Sequence, residues 1–172
     1  MHIDSDDFAL FGLPRQFALE RSELDARRRI VQAEVHPDRF ASAGGAQRRL
    51  AMQWAVRVNE AYERLKDPLK RAAYLCDLGG VPIAAEDNTA MPASFLMEQI
   101  AWREALDDAQ SRHDVDAIAQ RLQSERDEAY VGLAHRLDDE ADYAAAAQQV
   151  RALMFTERLS DEVEHRLDSL PA

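Results

Sequence analysis

Hydrophobic residues recur at helical spacing through the first half of the chain, and no strand-like alternation of apolar and polar residues competes with them. The segment RSELDARRRIVQAEV repeats Leu24, Val31 and Val35 on one face, although Arg28 interrupts the stripe. Ser22 stands where a helix N-cap is expected. The pattern therefore predicts an amphipathic helix that buries one face.

Three further helices are predicted around this segment. DFALFGLP is a short helix stopped by Gly12 and Pro14, and PLKRAAYLCDL is closed by Gly79 and Gly80. AQRRLAMQWAVRVNEAYERLKD ends before Pro68, and its predicted core face comprises Leu50, Trp54, Ala61 and Leu65. Because only HPDRFASAGG joins the two long helices, they must pack antiparallel and display a His-Pro-Asp loop at one end.

Glycine, proline and small polar residues cluster only in LGGVPIAAEDNTAMPAS, which is typical of a linker. The three long helical segments that follow have short joints, which favours an antiparallel three-helix bundle. The predicted fold class is therefore all-α. We expect an N-terminal helical domain over residues 1–79, a linker over 80–92 and the bundle over 93–172.

The first helix of the predicted bundle has two apolar faces. Its core stripe comprises Phe95, Trp102, Leu106 and Ala109. Leu96, Met97 and Ile100 lie about 140° away from that stripe, and Glu104 and Asp108 continue their side of the helix. A three-helix bundle buries one face of each helix, so the second face needs another explanation.

Phe155 in the last helix also lies off its core stripe, about 140° from Val150. Exposed apolar residues rimmed by charge are a usual mark of a protein partner site. Alternatively, Leu96 packs under the linker and Phe155 packs against the N-terminal domain. The pattern alone does not decide between these two interpretations.

Charge is divided unevenly between the two halves of the chain. Residues 1–80 carry 13 Lys and Arg against 12 Asp and Glu, whereas residues 81–172 carry 8 against 20, which gives the net charge of −11. The acidic half argues against a nucleic-acid partner. The absence of an apolar run long enough for a membrane span, and of a signal-peptide pattern in MHIDSDDFALFGLP, predicts a cytoplasmic protein with no membrane partner.

Few residues in the chain suit catalysis or metal binding. The single cysteine, Cys76, excludes an internal disulfide or a multi-cysteine zinc site and is expected to be a buried apolar residue. His36 and Asp38 are a conceivable general acid/base pair, or simply solvated loop residues, but no nucleophile, metal cluster or phosphate-binding loop accompanies them. We therefore expect no enzymatic activity, no cofactor, no metal and no small-molecule substrate.

The segments DFALFGLP, VHPDRF and VNEAYERLKDPLKRAAYL resemble the J domain of DnaJ-type co-chaperones. The resemblance implies that His36, Pro37 and Asp38 contact a DnaK-type chaperone ATPase and stimulate its hydrolysis of ATP. It also implies that Arg27 and Arg29 complement an acidic surface of that ATPase, although Glu34 replaces a basic residue common in the family. Pro37 keeps the two polar side chains out of the flanking helices.

The segments FLMEQIAWREALDDA and VRALMF resemble the C-terminal domain of the HscB family, J-proteins devoted to iron-sulfur cluster biogenesis. This resemblance implies an iron-sulfur scaffold protein of the IscU type as client and a specialised DnaK-type ATPase, HscA, as the other partner. The residues it assigns to the scaffold contact are Leu96, Met97, Ile100, Glu104, Asp108 and Phe155. The alternatives are a J-domain co-chaperone for a different client and an acidic helical adaptor that is not a chaperone.

Overall fold

The computed structural model describes residues 5–35, 44–83 and 91–170. The chain divides into two compact units, Met1–Leu75 and Cys76–Ala172, which we call the N-terminal and C-terminal units. All regular structure in the described ranges is helical, which confirms the predicted all-α class. The His-Pro-Asp motif and residues 84–90 of the predicted linker lie outside the described residues, and the predicted domain boundaries stay predictions.

The N-terminal unit is a helical hairpin with a short helix packed on it. Its elements are α1 Asp7–Phe11, α2 Arg21–Val35, α3 Gly45–Lys66 and the first part of α4 Pro68–Leu78. α2 packs along α3, and α1 contacts both. Arg21 bonds to Tyr62 and Arg28 to Asn59, so α2 and α3 run antiparallel as predicted.

Two local predictions for this unit are wrong. The first backbone bonds of α2 are accepted by Glu20, so the helix begins at Arg21 and Ser22 lies inside it. Leu50 was predicted to be in the core but is 50% exposed, while its neighbour Ala51 is buried. The predicted core residues Ala61 and Leu65 are buried as expected, and Ala51 and Val58 are buried in place of Leu50.

A buried carboxylate holds α1 against α3. Asp7 is fully buried, and its two carboxylate oxygens lie 2.7 Å from Arg57 Nη2 and 2.9 Å from Arg64 Nη1. The backbone N–H of Asp7 donates to the Tyr74 hydroxyl at 3.0 Å. The two arginines therefore compensate the buried negative charge of Asp7, as burial of a carboxylate requires, and the Tyr74 hydroxyl satisfies the Asp7 backbone N–H.

The C-terminal unit contains the predicted three-helix bundle. Its helices are α5 Ala93–Asp108, α6 Arg112–Ala134 and α7 Tyr143–Ser169, with a π-helical turn, His135–Asp139, after α6. Its apolar cluster comprises Trp102, Ala109, Val115, Leu122, Leu159 and Val163. The Arg121 guanidinium stacks 4.6 Å from the centre of the Trp102 ring, which covers the outer side of this core.

The residues that follow α4 pack onto α7. A Cβ atom on Gly79 would come within 2.5 Å of the Tyr143 ring, so only glycine allows this close approach. Arg151 donates to the Ile83 carbonyl at 3.2 Å. Cys76 is buried, and burial raises the pKa of its thiol to about 11, which agrees with the expected inert core residue.

No helix in the described ranges has both the length and the apolar content that crossing a membrane requires. Within the same ranges, no three His, Cys, Asp or Glu side chains are grouped so that they could hold a metal ion.

Candidate partner-binding surfaces

The second apolar side of α5 is exposed. Leu96, Met97 and Ile100 are 45%, 65% and 50% exposed, whereas Trp102 on the opposite side is 5% exposed. Leu96 and Ile100 are one turn apart and Met97 lies beside them, so the three side chains form one patch. We call this patch, with Glu104 and Asp108, the outer face of α5.

The acidic end of the outer face is available to a partner. Glu104 and Asp108 are exposed and follow Ile100 at intervals of four residues, so they continue the same side of the helix. Among the described residues, no Lys, Arg or His lies within ion-pair distance of either carboxylate. Ala101 is exposed beside this patch and adds no charge.

Phe155 lies at the contact between α5 and α7. Its ring packs edge-on against Phe95, with 5.8 Å between ring centroids and 69° between planes. Both rings are half-buried, and the Arg158 guanidinium lies 5.9 Å from the Phe155 centroid. Phe155 is therefore not wholly surplus to the fold: it supports the start of α5 while part of its surface stays accessible.

The inner side of α5 carries a buried polar residue that the hydrophobic pattern could not reveal. Gln99 is 6% exposed and lies one turn from Phe95 and three residues before Trp102. No donor in the described residues bonds to its buried Oε1 atom. A buried acceptor left without a donor costs about 1–3 kcal/mol.

The two arginines expected to face the chaperone ATPase lie on opposite flanks of α2. Arg27 and Arg29 are both exposed, but two residues along a helix separate them by about 160°. The Arg27 guanidinium also lies 3.9 Å from the Glu23 carboxylate, which offsets part of its positive charge. Glu34 is exposed near the end of the same helix. The structure thus does not bring Arg27 and Arg29 together into one basic patch.

Arg28, between them, turns inward and fixes the helix. Its guanidinium stacks 4.0 Å from the centre of the Tyr62 ring and donates to Asn59 Oδ1 at 3.2 Å. The Tyr62 hydroxyl donates to Asp25 Oδ1 at 2.8 Å, and this bond is the main cause that lowers the pKa of Asp25. The interruption of the α2 stripe is therefore a contact between the two hairpin helices.

His36, Pro37 and Asp38 follow the last residue of α2 and lie outside the described residues. α2 ends at Val35 and α3 begins at Gly45, so the motif belongs to the connection of the hairpin. Its role and that of the six predicted scaffold-binding residues stay predictions at this point.

Comparison with known proteins gives concordant results for both units. Residues 91–164 match the family described as HSCB C-terminal oligomerisation domain. A "Co-chaperone protein HscB homolog" from Burkholderia cenocepacia is 55% identical over 166 residues, covering 95% of this chain and 94% of that protein.

Two solved structures are similar to this fold. "Chaperone HscB from Vibrio cholerae" has a TM-score of 0.84 at 36% identity and covers 95% of this chain and 98% of its own. The human co-chaperone protein HscB has a TM-score of 0.90 and covers 96% of this chain and 84% of its own. Its 23% identity makes it a comparison of fold alone.

Proposed function

Because the chain belongs to the HscB family of co-chaperones, we propose that it delivers an iron-sulfur scaffold protein of the IscU type to an HscA/DnaK-type ATPase. A co-chaperone acts on another protein's catalytic cycle, so the chain needs two partner surfaces and no reaction centre of its own. The proposed setting is the cytoplasm, with no nucleic-acid, membrane or small-molecule partner.

One observation carries the scaffold half of the proposal: the outer face of α5 is exposed although it is apolar. Leu96, Met97 and Ile100 form a compact patch whose burial against a partner would remove hydrophobic surface from water. Glu104 and Asp108 beside it would pair with basic residues of the scaffold, which favours one orientation of binding. Phe155 would contribute the accessible edge of its ring.

The ATPase half of the proposal rests on the sequence of the hairpin connection. His36, Pro37 and Asp38 are the residues we propose as the contact, with Asp38 accepting a charge-assisted bond from an arginine of the ATPase. Since Arg27 and Arg29 lie on opposite flanks of α2, we propose that they contact different parts of the ATPase surface or that only one contributes.

In this mechanism the chain raises the effective concentration of the scaffold at the ATPase. The C-terminal unit captures the scaffold and the hairpin connection engages the ATPase. Hydrolysis of ATP by the ATPase then holds the scaffold and favours transfer of its cluster to acceptors. This chain itself forms and breaks no covalent bond, and the cluster is cargo of the scaffold.

The proposal is tested by titrating the full chain with an IscU-type scaffold in a calorimeter. We expect micromolar binding that falls at least tenfold in the double variant Leu96→Ala, Phe155→Ala, because both apolar anchors are shortened. Val131→Ala is a matched control, since Val131 is 72% exposed on α6 and should not affect binding. Failure of the folded native chain to bind would refute the scaffold assignment.

A parallel ATPase assay separates the alternatives. Stimulation of an HscA-type ATPase should be cooperative between chain and scaffold and should vanish in Asp38→Asn. Stimulation without scaffold binding would identify a J-domain co-chaperone for another client. Absence of both effects would leave an acidic helical adaptor.

A further inference from the structure

A groove of about 650 Å³ opens between the start of α5 and the middle of α7. One wall is formed by Phe95 of α5 with Met91 and Pro92 before it, and the other by residues of α7 and the π-helical turn. The residues that matter here are Pro92, Phe95, Arg136, Gln148 and Arg151. Phe95 connects the groove to the outer face of α5, because it precedes Leu96 and its ring packs on Phe155.

Arg136 and Arg151 are the charged residues of this groove, and both are half-buried. Arg136 Nη1 donates to the Gln149 side chain, and Arg151 Nη1 donates to the Ile83 carbonyl at 3.2 Å. Both acceptors are neutral. No carboxylate among the described residues lies within ion-pair distance of either guanidinium.

This charge pattern differs from that of the surrounding half of the chain. Residues 81–172 contain 20 Asp and Glu but only 8 Lys and Arg, and two of those eight line one groove. A guanidinium presents a planar fork that fits a carboxylate with two parallel bonds. Two such groups in a concave site, without counter-charges among the described residues, are complementary to an anionic ligand.

The groove is large for a single ion and continuous with a proposed protein interface. A volume of several hundred cubic ångströms accommodates several side chains of a peptide. The exposed Gln148 amide on its wall can bond to a peptide backbone as donor and acceptor. Pro92, at the N-cap of α5, offers no side-chain acceptor to the first backbone N–H groups of that helix.

We infer that this groove binds an acidic segment of the partner protein, the same partner that covers the outer face of α5. Carboxylates of that segment would pair with Arg136 and Arg151. The inference rests on the proposed function for the identity of that protein. The outer face presents carboxylates to the partner, whereas the groove presents guanidinium groups. The complete surface would therefore require a partner that carries basic and acidic residues in separate places, which sharpens its specificity.

The test compares scaffold binding by the full native chain and by the double variant Arg136→Gln, Arg151→Gln, at low and at high salt. We expect affinity about tenfold weaker in the variant at low salt and a shallower dependence on salt, because screened ion pairs have been removed. Arg166→Gln is the matched control, since Arg166 is exposed on α7 outside the groove. It should bind like the native chain.

The outcomes separate this inference from the proposed function. Equal affinity and salt dependence in the folded groove variant would overturn the inference while native binding still supports the scaffold assignment. Absence of binding by the native chain would overturn both. A change in self-association by sedimentation, with scaffold affinity unchanged, would assign the groove to a second copy of this chain and also overturn the inference. Arg136→Gln alone is the fallback variant, since it keeps the Arg151 bond to Ile83.

Discussion

Two buried polar residues, Asp7 in the N-terminal unit and Gln99 in the C-terminal unit, have different surroundings. In the N-terminal unit, the buried Asp7 carboxylate is paired with Arg57 and Arg64. In the C-terminal unit, the buried Gln99 amide has an Oε1 atom that receives no bond among the described residues. The first arrangement fixes α1 on α3, whereas the inner side of α5 is held by apolar residues such as Trp102 and Ala109 and by the Phe95–Phe155 contact.

This difference matches the two kinds of recognition that we propose. The Asp7 ion pairs hold α1 on α3, and the Tyr62 contacts join α2 to α3, so the helices that flank the proposed ATPase contact are fixed to one another. A helix that offers its own outer side to a partner can instead adjust its position on binding, and α5 has fewer fixed contacts on its inner side. The comparison predicts that replacing the buried polar residue lowers the free energy of unfolding of the N-terminal unit and raises that of the C-terminal unit.

The largest effect is expected from Asp7→Asn. Loss of the buried negative charge leaves Arg57 and Arg64 without their common partner, but both arginines retain contact with solvent. We therefore expect a loss of about 3 kcal/mol in the free energy of unfolding of the N-terminal unit, the lower end for a broken buried pair. Each unit contains one tryptophan, so fluorescence of Trp54 in a Trp102→Phe background follows this unit alone.

Glu63→Gln is the control for that measurement. Glu63 pairs with Lys66 on the exposed side of α3, and loss of a surface pair should change stability little. If Asp7→Asn were equally harmless, the buried cluster would not be what holds α1 in place, and the contrast between the units would fail.

An effect of opposite sign is expected from Gln99→Leu. The substitution removes a buried acceptor that lacks a donor and replaces it with an apolar side chain of similar size. We expect the C-terminal unit to gain about 1 kcal/mol in its free energy of unfolding. Fluorescence of Trp102 in a Trp54→Phe background reports on this unit.

Gln120→Leu serves as the comparison, because Gln120 is exposed on α6 and its replacement should leave stability nearly unchanged. Destabilisation by Gln99→Leu would show that the amide contributes to the native packing of α5. In that case both units would depend on buried polar groups, and the proposed adjustability of α5 would lose its support.

The sequence was sufficient to predict features that depend on periodicity. The stripe of Leu24, Val31 and Val35 follows from helical spacing, and so does the placing of Leu96, Met97 and Ile100 on a second side of α5; the exposure of that side did not follow from the pattern alone. The 50% exposure of Leu50 was missed because the rotation of α3 about its axis is set by how α2 packs on it.

Polar contacts could not be predicted in the same way. Asp7 and Gln99 resemble ordinary surface residues in the sequence, and only the approach of other helices buries them. The opposite positions of Arg27 and Arg29 were implicit in their spacing, but the inward stacking of Arg28 on Tyr62 depends on α3. The position of Arg136 and Arg151 on one groove likewise depends on how α5, α7 and the π-helical turn pack together.

The smallest effect is expected from Tyr62→Phe, which tests the hydrogen bond from Tyr62 of α3 to Asp25 of α2. The Tyr62 hydroxyl donates to Asp25 and lowers the pKa of that carboxyl below its ordinary value of 3.8. A lowered folded-state pKa stabilises the N-terminal unit above the unfolded-state pKa, and this contribution is lost as pH falls through the folded-state pKa. In Tyr62→Phe the pKa of Asp25 should rise toward 3.8. On acidification from neutral pH to below the folded-state and unfolded-state pKa values of Asp25, the variant should therefore lose less stability than the native chain.

Carboxyl NMR titration gives the pKa of Asp25, and Trp54 fluorescence gives the stability of the N-terminal unit across the acid range. Because Arg28 still stacks on the aromatic ring, the fold should persist. An unchanged pKa for Asp25 would show that its ion pair with Arg21, and not the bond from Tyr62, lowers the pKa of this carboxyl.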